Sequence, residues 1–398
     1  MAVLPEFELT DEQRQLRAEL ERFVDREVRT LDFNEYEWRE DPRERVPWQV
    51  VDRAGELGLK DLAAPEEYGG MDASALTLTM AVEELAVGDL GLAVLFDQTW
   101  KISRIVAEMA DDDLRDRFFE EFVADPRHVL AITLTEPANG TNYVVDYEGM
   151  RFDTVAEKDG DEWVIDGHKH FISNGADAKT YVVFAQTDPD VPAQRGTTAF
   201  LVPEDAEGLE VTHIHEKISQ RLVNNATIEF HGVRVPEGNV LGEVNRGKTR
   251  TGEVLKESHI EAGASVLGVA RAAFEDAYEY AHDRVQGGKP IVEHQAIGHD
   301  FAGMATDIQA ARSLLWTAAR AVDEQGERYN HVYGHMAKIF AADVAVDVTE
   351  RALTKFGGSG IMLDYPVQKY HRDALSFQHS DGTQEAHREN VLKHLPGV

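Results

Sequence analysis

Two runs in the middle of the chain decide its fold, and they read AITLTEPANGT at residues 131–141 and EWVIDGHKHFISNG at residues 162–175. The Asp-Gly pair at 166–167 separates two short runs of β-forming residues, which predicts a two-residue hairpin. Glu-Pro at 136–137 with Asn-Gly at 139–140 predicts a turn, because Pro fixes φ and Gly tolerates positive φ. Helical periodicity precedes and follows both runs, so we expect a β segment between two helical bodies.

The wider pattern predicts an α+β protein of three parts. Residues 1–129 show amphipathic helices, beginning with a capping box at Thr10 and Gln13, and are predicted to form an N-terminal helical domain. Residues 130–240 contain short apolar runs separated by Gly, Pro and Asp, which predicts a middle β-barrel or sandwich. Residues 241–398 are predicted to form a C-terminal domain like a four-helix bundle, with long helices at about 250–283, 291–325 and 329–356.

The composition is strongly acidic: 40 Lys and Arg residues stand against 73 Asp and Glu in 398 residues, a formal net charge of −33. Such a field repels nucleic acid and anionic membrane surfaces, so neither is an expected partner. Aromatic and apolar residues are too plentiful for a disordered chain, so the acid lies on the surface of a folded protein. Acid spread along the chain favours a halophilic source, where salt near about 1 M screens charges over ~3 Å.

The chain contains no cysteine, which excludes disulfides, a thiolate nucleophile and a Cys-ligated metal. Its first residues lack the basic and apolar regions of a signal peptide, and its apolar runs are shorter than a membrane span. We therefore expect a soluble cytoplasmic protein.

Three common catalytic or nucleotide-binding motifs are missing from the sequence. No G-x-G-x-x-G follows a predicted strand, no P-loop pattern occurs, and no G-x-S-x-G elbow is present. These absences argue against a Rossmann dinucleotide site, a P-loop nucleotide site and a serine hydrolase. His331 and His335 have i, i+4 spacing, but no carboxylate-bearing metal signature accompanies them, so we expect surface or core histidines and no metal site.

Six segments, taken together, resemble the acyl-CoA dehydrogenase family of flavoproteins, which oxidise acyl-CoA thioesters. They occur in the family order with family-like spacing, and the looser pattern covers nearly the whole chain. The segments are LTEP with GT at 134–141, WVIDGHK with ISNG at 163–175, TAFLV at 198–202, VRVP with LG at 233–242, GGSG with YP at 357–366, and RDA with DGT at 372–383.

The resemblance implies a noncovalent FAD between the β domain and the C-terminal helices. In the family, a backbone and hydroxyl pair meets the flavin edge, an aromatic residue covers the ring, a hydroxyl reaches N5, and an arginine meets the phosphates. The matching positions are Leu134, Thr135, Phe171, Ser173 and Arg284, with Gly357, Gly358, Thr383 and Glu385 matching the remaining FAD contacts. Phe171 stands where Trp is common, and Gly287 replaces a usual Phe, which affects packing on the adenine side.

The reaction needs a base, because the α-proton of a thioester is weakly acidic and a positioned carboxylate must remove it. The β-hydrogen then leaves as hydride to flavin N5. In most of the family the base is a Glu directly before Gly-Thr, and here that position holds Asp381; the alternative is an ordinary turn Asp before Gly382. Asp is one methylene shorter, a retreat of roughly 1.5 Å, and misplacement by about 1 Å can cost ~100-fold in rate. Family members acting on cyclic carboxyl-CoA thioesters, and the related nitroalkane oxidases, also carry Asp there.

The resemblance also marks positions that face the substrate. Thr141 matches the residue that reaches the thioester or pantetheine portion of CoA. Gly382 belongs to the segment that carries the base, and Arg388 matches an arginine usual seven residues after it. These three positions are the expected substrate contacts beside Asp381.

A further departure lies in the helix after the β domain. His259 stands where many members have Arg, and it is interpreted equally as a substrate-pocket residue or as an ordinary helix histidine. Ser258 occupies the position where some branches place the base, so that alternative is not filled. Glu257 and Glu261 are close in sequence, but their offset should point them elsewhere on the helix.

The leading hypothesis is an FAD-dependent acyl-CoA dehydrogenase of fatty acid metabolism. It implies an electron-transfer flavoprotein as acceptor and a homotetrameric assembly. The second hypothesis is a related flavoprotein on the same scaffold, either a cyclic carboxyl-CoA dehydrogenase or a nitroalkane-type oxidase. The third is a catalytically silent acyl-CoA-binding member, which the departures at Phe171, His259 and Gly287 favour and the retained Asp381 opposes.

Overall fold

The computed structural model of the chain describes residues 9–141 and 149–396. Helices fill the first part, and Thr10 caps the first of them through the predicted capping box with Gln13. A π-helical turn at Val24–Val28 continues this helix. The helices are α1 (Asp11–Phe23), α2 (Phe33–Glu37), α3 (Trp48–Glu56), α4 (Ala75–Gly88), α5 (Leu90–Met109) and α6 (Asp112–Ala124).

The middle part is an eight-stranded sheet. The strands are β1 (Leu130–Thr133), β2 (Val155–Asp159), β3 (Glu162–Ser173), β4 (Thr180–Gln186), β5 (Thr197–Pro203), β6 (Leu209–Ile214), β7 (Asn225–Pro236) and β8 (Val240–Leu241). Their order in the sheet is β6-β7-β3-β2-β4-β5-β8, and β1 pairs with β4 in parallel. A short helix, α7 (Ala193–Gly196), precedes β5. The sheet path does not return on itself, so the β domain is confirmed but is not closed into a barrel.

The β4 strand shows why this sheet is apolar on both faces. All of its residues are buried, in contrast to the alternating pattern of β7. Val182 and Phe184 pack with helices α5 and α6 on one face, whereas Tyr181 and Val183 join the apolar core formed with β3 and β7. The sheet is therefore covered by the N-terminal helices on one side.

The prediction of a hairpin at Asp166 and Gly167 was wrong. These residues lie inside the long strand β3, at a bulge in its pairing with β7. The true hairpin joins β2 to β3, where Asp159 pairs with Glu162 and Gly160 has a φ of 69°. A Cβ on Gly167 would lie 2.5 Å from the Cα of Thr154, so this glycine permits a close approach between strands.

The predicted turn at 136–140 is confirmed. The N–H of Glu136 donates to the carbonyl of Asn139 at 3.1 Å, and the N–H of Asn139 donates back at 3.0 Å. The turn follows β1 and places the short segment of Leu134 and Thr135 beside β3, where the N–H of His170 donates to the carbonyl of Thr135 at 2.8 Å.

Helices return after β8, as predicted, although the helix expected from about 250 is divided in two. The C-terminal elements are α8 (Gly247–Val254), α9 (Ser258–Asp283), the two-stranded hairpin β9 (Val285–Gln286) and β10 (Lys289–Pro290), α10 (Gln295–Gln325), α11 (Val332–Lys355), α12 (Val367–Ser376) and α13 (Gln384–Leu392). The order of helical, β and helical parts is thus confirmed, while the boundaries at 129/130 and 240/241 stay a prediction. Within residues 9–141 and 149–396, no helix has the length and apolar character that a membrane span requires.

Helices α4 and α9 join the first and third parts through a buried charge cluster. Arg271 of α9 donates to Glu83 at 3.0 Å and to Glu84 at 2.7 Å. Arg312 of α10 also donates to Glu83, and Arg17 of α1 donates to Glu84 at 2.9 Å. Burial raises the pKa of Glu84, but Arg271 and Arg17 outweigh burial and lower it to about 2. Both carboxylates are therefore ionised and paired at neutral pH.

The close contact between α4 and α9 requires a glycine. A Cβ on Gly268 would lie 2.3 Å from the backbone carbonyl oxygen of Glu83, an atom that cannot rotate away. We expect Gly268→Ala to lower the free energy of unfolding by about 1–3 kcal/mol through overpacking. Chemical denaturation at fixed salt measures this change.

Gly252→Ala is the matched control, because a Cβ there meets no atom within 4 Å in the described part of the chain. It lies in α8, where Ala is favoured over Gly by about 1 kcal/mol, so its stability should be equal or higher. Equal stability of the Gly268→Ala and Gly252→Ala proteins would contradict the close contact.

Candidate active site

Asp381 lies in the loop between α12 and α13 with a φ of 54°, in the left-handed region that side-chain-bearing residues rarely adopt. Its Oδ2 accepts a hydrogen bond from Nδ1 of His259, in the first turn of α9, at 2.7 Å. The two side chains are 24% and 22% exposed, so both are partly accessible from solvent. Burial pushes the pKa of Asp381 upward, but attraction to His259 and Lys101 outweighs burial and holds the pKa well below its ordinary value.

Two more histidines hold this loop, one by a hydrogen bond to its backbone and one by a hydrogen bond to the first. Nε2–H of His387 donates to the carbonyl of Asp381 at 2.8 Å, since a carbonyl can only accept. Nδ1 of the neutral His387 ring is then an acceptor, and Nδ1–H of His335 donates to it at 2.8 Å. Burial and the nearby His259 lower the pKa of His335 to about 2 and that of His387 to about 3, so both rings are neutral at pH 7.

Lys338 of α11 also holds this loop through hydrogen bonds. Its Nζ donates to the carbonyls of Phe377 at 2.8 Å and Gly382 at 2.9 Å, and to Oε1 of Gln384 at 3.0 Å. Burial lowers the pKa of Lys338 to about 8. With three acceptors around one buried ammonium group, both ends of the loop are tied to α11.

The three imidazoles of His259, His335 and His387 raise the question of a metal. One nitrogen from each ring lies within 4.8 Å of the others. Two of the rings, however, are hydrogen bonded through Nδ1 atoms 2.8 Å apart, whereas two nitrogens bound to one tetrahedral zinc at 2.0–2.1 Å would be ~3.3 Å apart. The arrangement is therefore a hydrogen-bond network around Asp381.

A buried cation lies beneath the pair of Asp381 and His259. Nζ of Lys101 in α5 donates to Oδ2 of Asp97 at 2.7 Å and lies 3.7 Å from Glu261. Burial alone would lower the pKa of Lys101, but the two carboxylates outweigh burial and raise it. Glu257 pairs with Arg104, and Glu261 lies beside Lys101. Neither carboxylate contacts Asp381, as their positions on the helix relative to Ser258 predicted. Lys101 thus adds positive potential on the inner side of the site.

The residues expected at the flavin ring lie together on the β domain. Leu134 and Thr135 run beside the end of β3, which carries Phe171 and Ser173. Phe171 is 57% exposed and has a φ of 56°, and Asn225 donates to its carbonyl at 3.0 Å and to Oγ of Ser173 at 3.1 Å. A strained, exposed aromatic residue is a typical feature of a ligand site.

A buried ion pair sets the position of this surface. Nζ of Lys169 in β3 donates to Oε1 of Glu136 at 2.8 Å, and both side chains are fully buried. The backbone N–H groups of Asp153 and Thr154 also donate to Glu136, at 2.7 and 3.0 Å. Burial lowers the pKa of Lys169 to about 8, whereas Lys169 and these hydrogen bonds overcome burial and lower the pKa of Glu136. The turn that carries Leu134 is therefore anchored to β3.

Three other expected FAD contacts line one cavity of about 730 Å³. The cavity is lined by Tyr280, Arg284, Gln286, Ile291, Ile297, Thr354, Lys355, Phe356, Gly357, Gly358, Ser359 and Met362. Within residues 9–141 and 149–396, no carboxylate forms an ion pair with Arg284. Gly287 begins the turn of the β9–β10 hairpin with a φ of 60°, which explains a glycine where the family commonly has Phe.

The remaining predicted positions are more dispersed. Thr383 caps α13 by accepting from the N–H of Ala386 at 3.3 Å. Glu385 and Arg388 are exposed, and Arg388 pairs with Asp343 at 3.0 Å and lies 3.7 Å from Glu385. Neither side chain contacts Asp381, because His387 occupies the face of α13 that meets this loop. Thr141 ends the first described segment and is half-buried.

Sequence reasoning did not identify His335, His387, Lys338 or Lys101 as parts of the site. Their spacing on amphipathic helices is that of ordinary core positions, and tertiary packing brings each of them near Asp381. The available signal was the exchange of the usual Arg for His259, which calls for a different set of partners around the carboxylate.

The chain thus has a helical, a β and a second helical part, and the second helical part carries a hydrogen-bonded carboxylate and imidazole. Family profiles named for the N-terminal, middle and C-terminal domains of acyl-CoA dehydrogenase match residues 10–125, 131–233 and 245–395. The chain is 36% identical over 348 residues to cyclohexane-1-carbonyl-CoA dehydrogenase of Geobacter metallireducens, covering 87% of this chain and 89% of that protein. The chain belongs to the acyl-CoA dehydrogenase family.

Two solved structures show the same fold along the chain. Butyryl-CoA dehydrogenase from Megasphaera elsdenii has a TM-score of 0.88 and 30% identity, covering 98% of this chain and 99% of that chain. A chain solved in work on the electron transferring flavoprotein of Acidaminococcus fermentans and flavin-based electron bifurcation has a TM-score of 0.90 and 31% identity, covering 99% and 100%. The protein is an FAD-dependent oxidoreductase that acts on the CH–CH group of an acyl-CoA thioester.

The residues present fit FAD on grounds internal to this structure. Phe171 offers an exposed aromatic face, and the cation of Arg284 lines a large cavity without a paired carboxylate in the described residues, although the protein is highly acidic. A flavin ring suits the first feature and a diphosphate suits the second.

The neutral histidines predict a specific response to acid. Between about pH 6.5 and pH 3 the unfolded chain protonates His387 but the folded chain does not, so stability falls as pH falls. We expect His387→Gln, which retains an N–H donor but cannot titrate, to make this fall shallower by up to about 1.4 kcal/mol per pH unit. Denaturant unfolding at several pH values and fixed salt measures the slope.

The exposed His299 provides the control for this slope. His299→Gln makes the same chemical change away from the site and should leave the pH dependence of stability unchanged. Parallel slopes for wild type and His387→Gln would contradict a neutral, buried His387.

Proposed function

We propose that the carboxylate of Asp381 drives removal of the α-proton of the acyl-CoA substrate. The observation that supports this role is the placement of a partly exposed carboxylate on a strained loop fastened by His387 and Lys338. Strain held in place by buried hydrogen bonds is a common means of fixing a reactive group. Gly382, with a φ of 92°, completes the loop and lends its carbonyl to Lys338.

We propose that FAD is held between two surfaces. Leu134, Thr135, Phe171 and Ser173 would hold the ring, and Arg284, Gly357, Gly358, Thr383 and Glu385 would hold the remainder, with a neighbouring subunit supplying some of these groups. When bound, FAD supplies the two-electron acceptor that the oxidation requires. Thr141, His259, Gly382 and Arg388 are the proposed substrate contacts, of which His259 and Gly382 lie at Asp381.

We propose a cyclic carboxyl-CoA thioester as the preferred substrate class. The similarity to cyclohexane-1-carbonyl-CoA dehydrogenase, together with Asp381 in place of the usual Glu, supports this choice. An anaerobic panel of cyclic, branched and straight-chain acyl-CoAs tests it by the rate at which each bleaches the oxidised flavin spectrum. Faster bleaching by butyryl-CoA than by cyclohexane-1-carbonyl-CoA would favour a short straight-chain enzyme.

An electron-transfer flavoprotein acceptor and a homotetramer complete the proposal. The similarity to a chain solved in work on an electron transferring flavoprotein supports the acceptor. Reoxidation of substrate-reduced enzyme by such a flavoprotein, compared with reoxidation by dioxygen, distinguishes a dehydrogenase from an oxidase. Light scattering in high salt gives the oligomeric mass. A halophilic source and a cytoplasmic location stay predictions from the composition.

Asp381→Ala should abolish flavin reduction by the thioester, because it removes the carboxylate that is proposed to drive α-proton removal. In the described residues no other carboxylate is hydrogen bonded to His259 and could take its place. The flavin should remain bound, since the side chain of Asp381 is not among its proposed contacts. Stopped-flow absorbance under anaerobic conditions measures both the bound flavin and its reduction. Undiminished reduction in this variant would show that Asp381 is not needed for proton removal.

A further inference from the structure

The strand β3 has a β-bulge at the surface proposed for the flavin ring. Its register with β7 shifts by one residue between Lys169 and Ile172. Two residues of β3, His170 and Phe171, therefore stand opposite the single Thr227 of β7. A bulge redirects the side chains that it carries, and Phe171 has a left-handed φ of 56° here. Because such a backbone is strained, neighbouring groups must hold it in place.

The side chain of Asn225, the first residue of β7, bonds to the bulge and to the residue near its end. Its Nδ2 donates to the carbonyl of Phe171 at 3.0 Å and to Oγ of Ser173 at 3.1 Å. A backbone carbonyl can only accept, so the atom that faces Phe171 must be the amide nitrogen. Oδ1 then faces the other way, where Nζ of Lys217 donates to it. The partners on both sides thus settle the orientation of this amide group.

Lys217 lies in the loop between β6 and β7 and is partly buried. Burial lowers the pKa of Lys217 to about 7, although attraction to Asp373 and Asp89 raises it. The ammonium group and the neutral amine both carry N–H donors, so Lys217 can donate to Asn225 in either state. The orientation of the Asn225 amide therefore does not depend on this ionisation.

These contacts determine the role of the Ser173 hydroxyl group. An amide nitrogen offers hydrogens but no lone pair, so Oγ of Ser173 is the acceptor in its bond with Asn225. The hydroxyl hydrogen must then point elsewhere, and among the residues that the structure describes none accepts it. Ser173 is half-buried, and its hydroxyl hydrogen is available to a bound ligand.

We propose that Asn225 is a positioning residue of the flavin site, because it makes Ser173 a hydrogen-bond donor to the flavin ring. This inference rests on the proposed function, in which Ser173 contacts the ring. N5 of an oxidised flavin has a lone pair and no hydrogen, so it can accept such a bond. Hydrogen bonds to the ring nitrogens tune a flavin as an electron acceptor. Asn225 acts through Ser173 and takes no part in the chemistry itself.

Apoprotein reconstituted with FAD that carries ¹⁵N at N5 tests the proposal. Loss of a hydrogen bond moves the signal of such a nitrogen downfield, so Ser173→Ala should displace the N5 signal. Asn225→Asp is isosteric but exchanges the NH₂ group for a second acceptor oxygen, so the Ser173 hydroxyl should turn inward and donate to the new carboxylate. We expect the same downfield displacement. An N5 signal that stays at the wild-type position in either variant would overturn the proposal.

The double variant separates the hydroxyl group from the added charge. In the Ser173→Ala background, Asn225→Asp adds the same negative charge but has no hydroxyl to turn, so it should cause no further displacement. The dissociation constant of FAD should follow the same pattern. It should rise about 3- to 10-fold in each single variant, the effect of one hydrogen bond, and no more in the double variant. Fully additive effects would show that Asn225 does not act through Ser173 and would overturn the proposal.

Asn239→Asp is a matched control on the same domain. Asn239 also donates to a backbone carbonyl, that of Leu201 at 2.9 Å, but its other partner is Arg117. The N5 signal and the FAD affinity should stay at their wild-type values. A displacement equal to that of Asn225→Asp would indicate a general effect of charge and would count against the proposal. Asn225→Ala, which leaves Ser173 free to rotate, should give a smaller displacement in the same direction.

The results distinguish this inference from the proposed function. A wild-type apoprotein that takes up no FAD would overturn the proposed function, and the inference with it. A holoprotein that a thioester bleaches, but whose N5 signal is unchanged by Asn225→Asp, would overturn the inference alone.

Discussion

The contact of α4 with α9 is the constraint on which the rest of the molecule depends. Arg271 reaches from α9 into a helix whose side chains are otherwise almost entirely apolar and pairs with the ionised Glu83 and Glu84. Once these charges are buried, separating the helices would leave them unpaired at a cost of several kcal/mol. The helix so fixed begins at Ser258, and its first turn carries His259. The position of His259 is thus set by a charge cluster further along the same helix.

The fold was largely predictable because its elements are local and strongly periodic. The helical parts, the strands and the turn at 136–140 follow from apolar spacing and turn residues. The hairpin at 166–167 failed for a physical reason. An Asp-Gly pair occurs both where a strand reverses and where it bulges. Here the long pairing of β3 with β7 continues past the pair, so the pair forms a bulge. Closure of the sheet depends on pairing between distant strands, which composition does not encode.

The residues of the candidate site also fall into those that the sequence predicted and those that it did not. Asp381, Phe171 and Arg284 were found because each lies in a recognisable segment of a known family. The partners that give Asp381 its properties were not, since His335, His387 and Lys338 reach it only through helix packing. Two departures from the family pattern have a structural counterpart. Gly287 serves a tight turn, and His259 binds the shorter carboxylate through a ring nitrogen.

The hydrogen bonds that hold the Asp381 loop and the exposed charges of this protein, whose net charge is −33, respond differently to salt. Dissolved ions screen the mutual repulsion of exposed carboxylates, so salt changes the long-range field around the molecule. The loop is held by two uncharged imidazoles and by one ammonium group enclosed by carbonyl oxygens, and such short, buried contacts are screened much less. The surface of this protein is therefore sensitive to ionic strength, whereas the contacts that hold the Asp381 loop are much less sensitive to it.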